Sequence, residues 1–482
     1  MNHFTRPRNR RLDVPVFEFA TESMIFPAEL PLDPSQAAVG NQPPRSSTAG
    51  FSKKQIENRF LKLTRGQVGL IDGGDVKRFG TTGDLTANVL VSKPSFYRRI
   101  MTGGTIGAAE SYIDGDWVSD DLTSLIRIMI RNLGEFSQLE RSWAWLKNRF
   151  DFFRHLNRKN TVSGSRQNIH EHYDLGNEFY QLFLDETMNY SSGVFDSSRS
   201  NASVDDELLD ASVRKMNQIC RKLQLAPHDH VLEIGSGWGG LAIHMATKFG
   251  CRVTTTTISQ EQFKLATDRV DAAGVSDRVT VLLKDYRQLE GRFDKIVSVE
   301  MIEAVGHQYY DQFFACCGRL LKPDGAMLLQ AITIGEQHYQ HHIKHVDFIR
   351  KYIFPGGCLP SITALATSAG KVTDMRMLKL DDITPHYATT LTHWRARFLW
   401  QLDAVRALGF DDKFIRMWHF YLCYCEAAFA ERRVHTVHLM FAKPDSPIDP
   451  GMKLEVPSSE VRELVHPGAA ERKTTSLGSP AL

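Results

Sequence analysis

The sequence predicts an α/β protein in which a doubly wound, mostly parallel sheet follows a smaller N-terminal α+β domain. Helical and strand-like patterns alternate between residues 206 and 333, and strands separated by helices join through right-handed crossovers into a parallel sheet. A glycine cluster directly follows the first of these strands, within His230–Leu241. Ligands bind such sheets at the carboxyl ends of the strands, so we expect the loops there to form one crevice. These loops follow Ile234, Thr257, Leu283 and Val299.

The order of the elements comes from hydrophobic periodicity and from turn residues. The predicted helices span 206–224, 241–249, 260–273 and 308–321. The predicted strands span 230–234, 252–257, 278–283, 293–299 and 326–333.

Before the sheet, residues 51–135 predict the small α+β domain. The segments VGLIDGG and LTANVLVSK alternate as strands do, and FYRRIMTGGTIGAAESYIDGDW is typical of two helices around a glycine turn. Residues 1–50 end in a stretch rich in Pro, Ser, Gly and Gln, and residues 444–482 are similarly polar. We expect a flexible arm at each end of the chain.

Residues 136–165 predict a basic amphipathic linker. Apolar residues recur at spacings of three and four, among them Phe136, Trp143 and Phe150, and basic residues are frequent while acids are few. A basic helix with an aromatic apolar side can lie on an anionic lipid surface. A helix that packs its aromatic residues on the next domain is the alternative, and the sequence leaves both open.

Composition sets expectations about partners and location. The formal net charge of the 482-residue chain is +2, which gives no reason to expect nucleic-acid binding. No apolar run reaches the roughly 18 residues that span a bilayer, and the N-terminus is not typical of a secretory signal. We therefore expect a cytoplasmic protein whose membrane contact is peripheral. Whether the chain forms a homodimer stays open.

No metal site is predicted. The seven cysteines include no CxxC pair, which favours free thiols in a reducing compartment. Four histidines between residues 338 and 345 have helical spacing but no acid or thiolate set beside them. A solvated or lid helix is therefore favoured over metal ligation.

The glycine cluster predicts a site for a nucleotide-like cofactor. Glycine lets the backbone turn sharply and approach a ligand where any Cβ would collide. Gly235, Gly237 and Gly240 fit the dinucleotide pattern G-x-G-x-x-G, so the cluster alone leaves two cofactors open.

The surrounding residues favour S-adenosylmethionine over NAD. A dinucleotide site would have an acidic residue at the end of the second strand to hold the ribose, but this strand ends in threonines. An acid stands instead at Glu233, immediately before the glycines. Asp285 and Tyr286 follow the third strand, where an adenine would need an acceptor and a stacking partner.

Residues from about 165 to 443 closely resemble cyclopropane-fatty-acyl-phospholipid synthases and mycolic acid cyclopropane synthases. The matching motifs are HYDLGNEFYQLFLD, TMNYSSGVF, VLEIGSGWGGLA, TISQEQ, IVSVEMIEAVGHQYYDQFF, KYIFPGGCLPS, HYATTLTHW and YLCYCEAAF. Residues 51–135 are similar to the lipid-associated N-terminal domain of the longer members. The resemblance implies that residues 166–443 form an S-adenosylmethionine-dependent methyltransferase domain.

The resemblance also implies a reaction. The methyl group of S-adenosylmethionine passes to the cis double bond of an unsaturated acyl chain in a membrane phospholipid, which leaves a carbocation on the chain. Loss of a proton from the new methyl group then closes a cyclopropane ring. Since water would capture the cation, we expect a dry pocket lined by aromatic rings.

In the resembling family the base is a bicarbonate ion held by a cysteine, a glutamate, a histidine and a tyrosine. The glutamate corresponds to Glu303 and the tyrosine to Tyr387, whereas the cysteine is Ser192 here and the histidine is Gln330. Both replacements donate hydrogen bonds to an anion, but glutamine cannot carry a proton. These departures put the product in doubt, because the same cation can lose a proton elsewhere and give a methyl-branched alkene.

Cys425 matches a cysteine once assigned as the nucleophile of the family. The alkene attacks the methyl group directly, so the chemistry needs no covalent enzyme intermediate. We interpret Cys425 as a packing residue that lines the acyl pocket.

The resemblance assigns cofactor contacts as well. Tyr190 and Ser191 fall at the methionine end, Thr257, Ser259 and Gln262 at the ribose, and Asp285 with Tyr286 at the adenine. The loop contacts are Glu233, Gly235, Ser236, Gly237, Trp238, Gly239 and Gly240.

Three functions are weighed. The first is a cyclopropane synthase acting on phospholipid acyl chains. The second is a sister lipid methyltransferase that makes a methyl-branched chain, which Ser192 and Gln330 favour. The third is a lipid-binding protein without catalysis, against which the intact glycine loop, Glu303 and Tyr387 argue.

Overall fold

The computed structural model describes residues 47–134, 175–196, 204–449 and 451. The predicted linker 136–165, the N-terminal arm up to residue 46 and most of the C-terminal tail lie outside the described residues. The first helix begins at Ser47, so the last four residues of the expected arm belong to it.

The N-terminal unit is a four-stranded sheet in the order β2-β1-β3-β4, with three helices. Its elements are α1 (Ser47–Phe60), β1 (Gln67–Asp72), β2 (Asp75–Gly80), β3 (Thr86–Val91), α2 (Ser95–Ile113), β4 (Trp117–Ser119) and α3 (Leu122–Arg131). The two strands expected here are β1 and β3, which pair in parallel. Gly104 breaks α2 at φ 55°, where the glycine turn was expected. Asp121 caps α3 by accepting a hydrogen bond from the Ser124 amide.

The larger domain begins with a short helix and alternates helices with strands. Its elements are α4 (Asn177–Gln181), α5 (Val204–Lys222), β5 (His230–Ile234), α6 (Gly240–Phe249), β6 (Arg252–Thr257), α7 (Gln260–Ala272), β7 (Val279–Leu283), β8 (Phe293–Val299), α8 (Tyr310–Leu320), β9 (Leu321–Ile334), α9 (Glu336–His342), α10 (Ile362–Val372), β10 (Arg376–Asp382), α11 (Thr384–Trp400), α12 (Leu402–Ala407), α13 (Asp412–Ala430) and β11 (Val434–Ala442).

Its sheet has seven strands in the order β10-β11-β9-β8-β5-β6-β7. The strands from β9 to β7 are parallel, and β11 pairs antiparallel with both β9 and β10. The predicted doubly wound, mostly parallel sheet is confirmed. The chain leaves β5 first towards β6 and β7 and later returns to β8 on the other side, so a crevice opens at the carboxyl ends of β5 and β8.

The N-terminal unit packs against α13 of the larger domain. The Tyr112 hydroxyl lies 2.8 Å from Nδ1 of the fully buried His419. Glu431 accepts hydrogen bonds from Nε of Arg127 and Nε of Arg131, each at 2.8 Å. A continuous hydrophobic core runs through both units. Within the described ranges, no helix has the length and apolarity needed to cross a membrane.

Candidate active site

A cavity of about 1020 Å³ opens at the carboxyl ends of the parallel strands, and we call it the central cavity. Residues that follow β5, β6, β7 and β8 all line it, as the strand order predicts. Ile106, Ile126, Met129 and Leu133 of the N-terminal unit line its apolar side. The central cavity is therefore built by both units of the chain.

The glycine loop forms one end of the central cavity. Gly235 and Gly237 have φ of 98° and 49°, in the left-handed region that favours glycine. No atom lies within 4 Å of the point where a Cβ on Gly237 would stand, whereas a Cβ on Gly240 would collide with the Thr187 carbonyl oxygen. The loop thus leaves open space beside its backbone, which fits a cofactor lying along it.

Glu233 lies beside this loop with its carboxyl group almost fully buried. One oxygen accepts a hydrogen bond from the Thr255 hydroxyl at 2.5 Å, and burial raises the pKa of Glu233 to about 8. Lys215 is buried nearby and donates to the Ser191 hydroxyl at 2.7 Å, and burial lowers the pKa of its ammonium to about 8. A buried carboxyl group and a buried amine, each with a hydrogen-bond partner, therefore lie beside the glycine loop.

Most of the expected cofactor residues line the central cavity: Tyr190, Ser191, Glu233, Gly235, Ser236, Gly237, Trp238, Gly240, Thr257, Gln262, Asp285 and Tyr286. Gly239 and Ser259 do not line it, and their expected cofactor contacts stay predictions. Gly239 packs against Ala266 of α7, and the Ser259 hydroxyl caps α7 by accepting from the Gln262 amide.

Two of the lining residues are already held by protein partners. The Trp238 indole N–H donates to Asn177 Oδ1 at 2.7 Å, and its side chain is almost fully buried. Both carboxylate oxygens of Asp285 accept hydrogen bonds from the Arg287 guanidinium. Arg287 therefore uses part of the hydrogen-bond accepting capacity of Asp285.

Glu300 is the site residue that we did not expect from the sequence. It directly follows β8 and lines the central cavity. Its φ of 49° lies in the left-handed region, which non-glycine residues rarely adopt and which concentrates at functional sites. The available signal was its place as the first residue after Val299, in a loop already expected to enter the crevice.

Three of the four residues expected to bind an anion surround the Glu300 carboxylate. Its Oε1 accepts from the backbone N–H of Ser192 at 3.1 Å and from Gln330 Nε2 at 2.8 Å. Its Oε2 accepts from the Tyr387 hydroxyl at 2.7 Å. The Ser192 hydroxyl points elsewhere, because it donates to the Gly193 carbonyl. Ser192 and Gln330 are fully buried behind Glu300 and do not line the central cavity.

The fourth residue, Glu303, has a different environment. Its Oε1 accepts from the Ile332 amide at 2.5 Å, and its buried Oε2 has no hydrogen-bond partner among the described residues. Burial, with a smaller contribution from the charge of Glu300, raises the pKa of Glu303 to about 8. Burial also raises the pKa of Glu300, but its three donors oppose that shift.

Behind Gln330, a chain of buried hydrogen bonds leads out of the sheet. His438 lies directly across from Gln330 in the pairing of β11 with β9, and its Nε2 is 2.9 Å from Gln330 Oε1. Its Nδ1 is 2.7 Å from Lys222 Nζ, and Lys222 forms a salt bridge of 2.9 Å with Asp381. Burial and the neighbouring lysines lower the pKa of His438, so the imidazole is neutral.

Aromatic rings form much of the remaining wall. The Tyr387 ring stacks on Phe429 with centroids 4.3 Å apart, and the Tyr190 and Tyr421 hydroxyls are 2.7 Å apart. Cys425 lines the same region, and burial strongly raises the pKa of its thiol. A neutral thiol among aromatic rings is a poor nucleophile, and the packing role of Cys425 stays a prediction.

The histidines near residue 340 border the opposite side of the central cavity. His338, His341, His342 and His345 all line it, on and just after α9. All seven cysteines are unpaired. Among the residues that the structure describes, no group of histidine, cysteine or acidic side chains is arranged to hold a metal ion.

Comparisons with known proteins agree with this architecture. Residues 160–439 match the family model described as mycolic acid cyclopropane synthetase. The chain is 38% identical over 390 residues to a tuberculostearic acid methyltransferase of Mycobacterium tuberculosis, covering 80% of this chain and 90% of that protein. It is 36% identical over 372 residues to a cyclopropane-fatty-acyl-phospholipid synthase of Escherichia coli, covering 75% and 89% respectively.

The chain is also similar in fold to a solved structure. The crystal structure of a mycolic acid cyclopropane synthase complexed with SAH and CTAB is 29% identical and superposes with a TM-score of 0.53, covering 58% of this chain and 98% of that one.

Proposed function

The chain belongs to the mycolic acid cyclopropane synthetase family, and we propose how this S-adenosylmethionine-dependent lipid methyltransferase acts. It transfers the methyl group to the cis double bond of an unsaturated acyl chain in a phospholipid and converts the double bond to a cyclopropane ring. The observation that carries this proposal is the central cavity, which joins the glycine loop, two carboxyl groups and an apolar wall in one space.

The residues of the glycine loop would hold the methyl donor. Bound there, S-adenosylmethionine supplies a methyl group on a sulfonium, a carbon electrophilic enough for an alkene to attack. Glu233 would contact the cofactor along the loop and Thr257 at the ribose, whereas Tyr190 and Ser191 would lie at its methionine end; all four line the central cavity. The protein contributes position and alignment, since an alkene is a weak nucleophile and needs in-line approach.

The apolar wall would hold the acyl chain. Ile126, Met129 and Ile130 of α3 line the central cavity and reach it from the N-terminal unit. We propose that these α3 residues contact the acyl chain and that residues 51–135 are a lipid-associated domain for this reason. The rings of Tyr387 and Phe429 would face the cation and exclude water from it.

Two groups are candidates for the base that removes the proton: a bound bicarbonate ion and the Glu300 carboxylate. A bicarbonate ion, which the resemblance implies, would take hydrogen bonds from the residues at positions 192, 330 and 387. Those donors already bond to the Glu300 carboxylate. Bicarbonate stays a prediction for this chain, because it would compete with Glu300 for the same three hydrogen-bond donors.

A methyl-branched product is the second candidate. Gln330 stands where the family has a histidine, and the Mycobacterium tuberculosis relative of 38% identity is named for tuberculostearic acid. The same carbocation gives a branched alkene when the proton leaves from the chain instead of the new methyl group.

Membrane contact belongs to the proposal too. The linker 136–165 would bring the protein to an anionic phospholipid surface from the cytoplasmic side. A third reading, lipid binding without catalysis, would be revived if calorimetry found no binding of S-adenosylmethionine.

Expression in a bacterial host that lacks its own synthase tests the proposal. We expect membrane acyl chains that have gained the mass of one CH2 and that resist mild hydrogenation. A product that takes up hydrogen would instead establish the branched alkene. Gly240→Val is the matched control, because its side chain collides with the Thr187 carbonyl and should abolish both products. Unmodified chains with the wild-type protein would refute both candidates.

A further inference from the structure

The Glu300 carboxylate is built into the chain at a place where a base is needed. A carboxylate offers about four lone-pair directions, and three of those of Glu300 accept hydrogen bonds from Ser192, Gln330 and Tyr387. Two of these bonds reach Oε1 and one reaches Oε2. Since Glu300 lines the central cavity, one lone pair of Oε2 is left for a proton from a bound substrate.

The hydrogen-bond chain behind Gln330 shows which form of Glu300 the site favours. The Lys222 ammonium only donates, so His438 Nδ1 accepts and His438 Nε2 carries the proton that it donates to Gln330 Oε1. The Gln330 carbonyl is thereby fixed towards His438, and its NH2 group points to Glu300. Every donor in the chain is directed towards Glu300, which stabilises an anion there.

The environment of Glu303 favours the protonated, neutral carboxyl group. With a single donor and a buried second oxygen, it is the carboxyl group of the pair that keeps its proton. Two carboxyl groups in one apolar space have separated proton affinities when their environments differ in this way.

We propose that Glu300 is the catalytic base of this enzyme and replaces an exogenous anion; the inference rests on the proposed function. The π electrons of the alkene form a bond to the methyl carbon, and the carbon–sulfur bond breaks with its electron pair left on sulfur. Oε2 of Glu300 then takes a proton from the methylated cation. The electrons of that C–H bond close the ring or form a double bond, and the neutral Glu300 returns the proton to water after product release.

A second anion has no ready place in this arrangement. Bicarbonate beside Glu300 would find the Ser192, Gln330 and Tyr387 donors in use, and it would add a negative charge next to an existing one. Like charges a few ångströms apart in a cavity of low dielectric repel strongly.

The test uses the purified full-length protein, labelled S-adenosylmethionine and dioleoyl phosphatidylglycerol vesicles, in buffer freed of carbon dioxide. We expect bicarbonate to change the wild-type rate by less than about twofold, and Glu300→Gln to lower kcat by about 100-fold or more, as loss of a general base does. The affinity of Glu300→Gln for S-adenosylmethionine, measured by calorimetry, should stay within about threefold of wild type, because Glu300 lies outside the glycine loop.

The variant Glu300→Gly should be rescued by bicarbonate. Glycine suits the left-handed backbone at this position, and the three donors would then face an empty space. Added bicarbonate should restore activity to Glu300→Gly but not to Glu300→Gln, whose amide fills that space.

Two results would overturn the inference while leaving the proposed function intact: a wild-type enzyme that needs bicarbonate, or an active Glu300→Gln variant. Failure of the wild-type protein to label any lipid, with S-adenosylmethionine bound, would instead overturn the proposed function.

Lys222 is the positioning residue of this base, and a pH profile separates that role from a structural one. The charged or titratable groups facing Glu300 are Lys215, Glu303 and Tyr387. Lys222→Met leaves these in place but removes the last donor of the chain, so the acid limb of kcat should move up by about half a pH unit. Lys379→Met is the control, because Lys379 also pairs with Asp381 but does not touch His438. An unmoved acid limb in Lys222→Met would refute the positioning role.

Discussion

At the scale of single residues, the site is organised by two glutamates whose environments differ. Glu300 accepts three hydrogen bonds, whereas Glu303 accepts one and leaves its second oxygen buried. Hydrogen bonds to a carboxylate favour its charged form, and burial without donors favours the neutral acid. The residue types alone do not distinguish the two; the number of donors at each carboxyl group does.

The raised pKa of Glu303 predicts a pH dependence of stability. In the unfolded chain Glu303 loses its proton near pH 4.5, but in the folded protein it does so near pH 8. The folded state therefore binds more protons between these values, and its stability falls as the pH rises from about 4.5 to 8.

Glu303→Gln should remove this contribution. We expect the melting temperature of the variant to match wild type near pH 5 and to exceed it by a few degrees near pH 8. Scanning calorimetry across this range measures the difference, with Glu336→Gln as a control at an acid of the α9 first turn. A constant offset between variant and wild type would contradict the assigned pKa.

Cys425 gives a second prediction at this scale. Burial strongly raises the pKa of its thiol, so the thiolate that would be needed for nucleophilic chemistry is scarce. Cys425→Ala should keep kcat within about threefold of wild type and enlarge the acyl side of the central cavity slightly. Steady-state assays on vesicles check this, and a loss comparable to that of Glu300→Gln would show that the thiol takes part in the chemistry.

At the scale of elements, hydrophobic patterning predicts the parallel core well. All five predicted strands from 230–234 to 326–333 correspond to β5 to β9, and the four predicted helices correspond to α5 to α8. These elements are regular and are separated by clear turns. The strands β10 and β11 at one end of the sheet were not predicted, because β11 joins the sheet by pairing with β9 from a distant part of the chain, and β10 pairs only with β11.

Contacts between distant parts of the chain also limit how much of the site the sequence predicts. The loop rule places Glu233, Asp285 and Glu303 in one crevice from the strand order alone. It does not reveal that His438 lies across from Gln330, since that contact joins β9 to β11. The state of Glu300 depends on this pairing and on Tyr387 from α11, so no local pattern around residue 300 contains it.

Helix α3 carries an element-scale prediction about chain length. Its residue Met129 lines the central cavity on the side that we propose holds the acyl chain. Met129→Trp should shorten that space and lower kcat/KM for oleoyl chains by about tenfold more than for shorter unsaturated chains. Competition between vesicles of the two lipids measures the ratio.

Ser124→Trp is the control on the same helix, because Ser124 does not line the central cavity. An equal loss on both chain lengths in Met129→Trp would mean that α3 does not border the acyl chain.

At the scale of the whole molecule, the central cavity depends on the contact between the two units. The N-terminal unit supplies part of the cavity wall, and α13 supplies both cavity residues and the surface on which α2 and α3 pack. The hydrogen bond between Tyr112 and His419 lies in this contact, and so do the ion pairs of Glu431.

Tyr112→Phe tests that contact. The variant removes the hydroxyl that bonds His419 Nδ1 in a fully buried place, and the loss should cost about 1–3 kcal/mol of unfolding free energy. We expect a lower melting temperature and faster amide exchange in both α2 and α13. Tyr97→Phe, which loses a bond to Asp72 within the N-terminal unit, should leave exchange in α13 unchanged. Unchanged exchange in α13 for Tyr112→Phe would show that the contact does not depend on this bond.

The left-handed backbone at Glu300 has an evolutionary consequence. Glycine adopts this left-handed conformation without strain, so the fold tolerates glycine at position 300 at least as well as glutamate. Their codons differ at a single nucleotide, so one mutation adds or removes the carboxylate while the surrounding donors stay in place. If Glu300 is the base, as we propose, a lineage carrying this loop would gain or lose its own base in one step, with dissolved bicarbonate as the substitute.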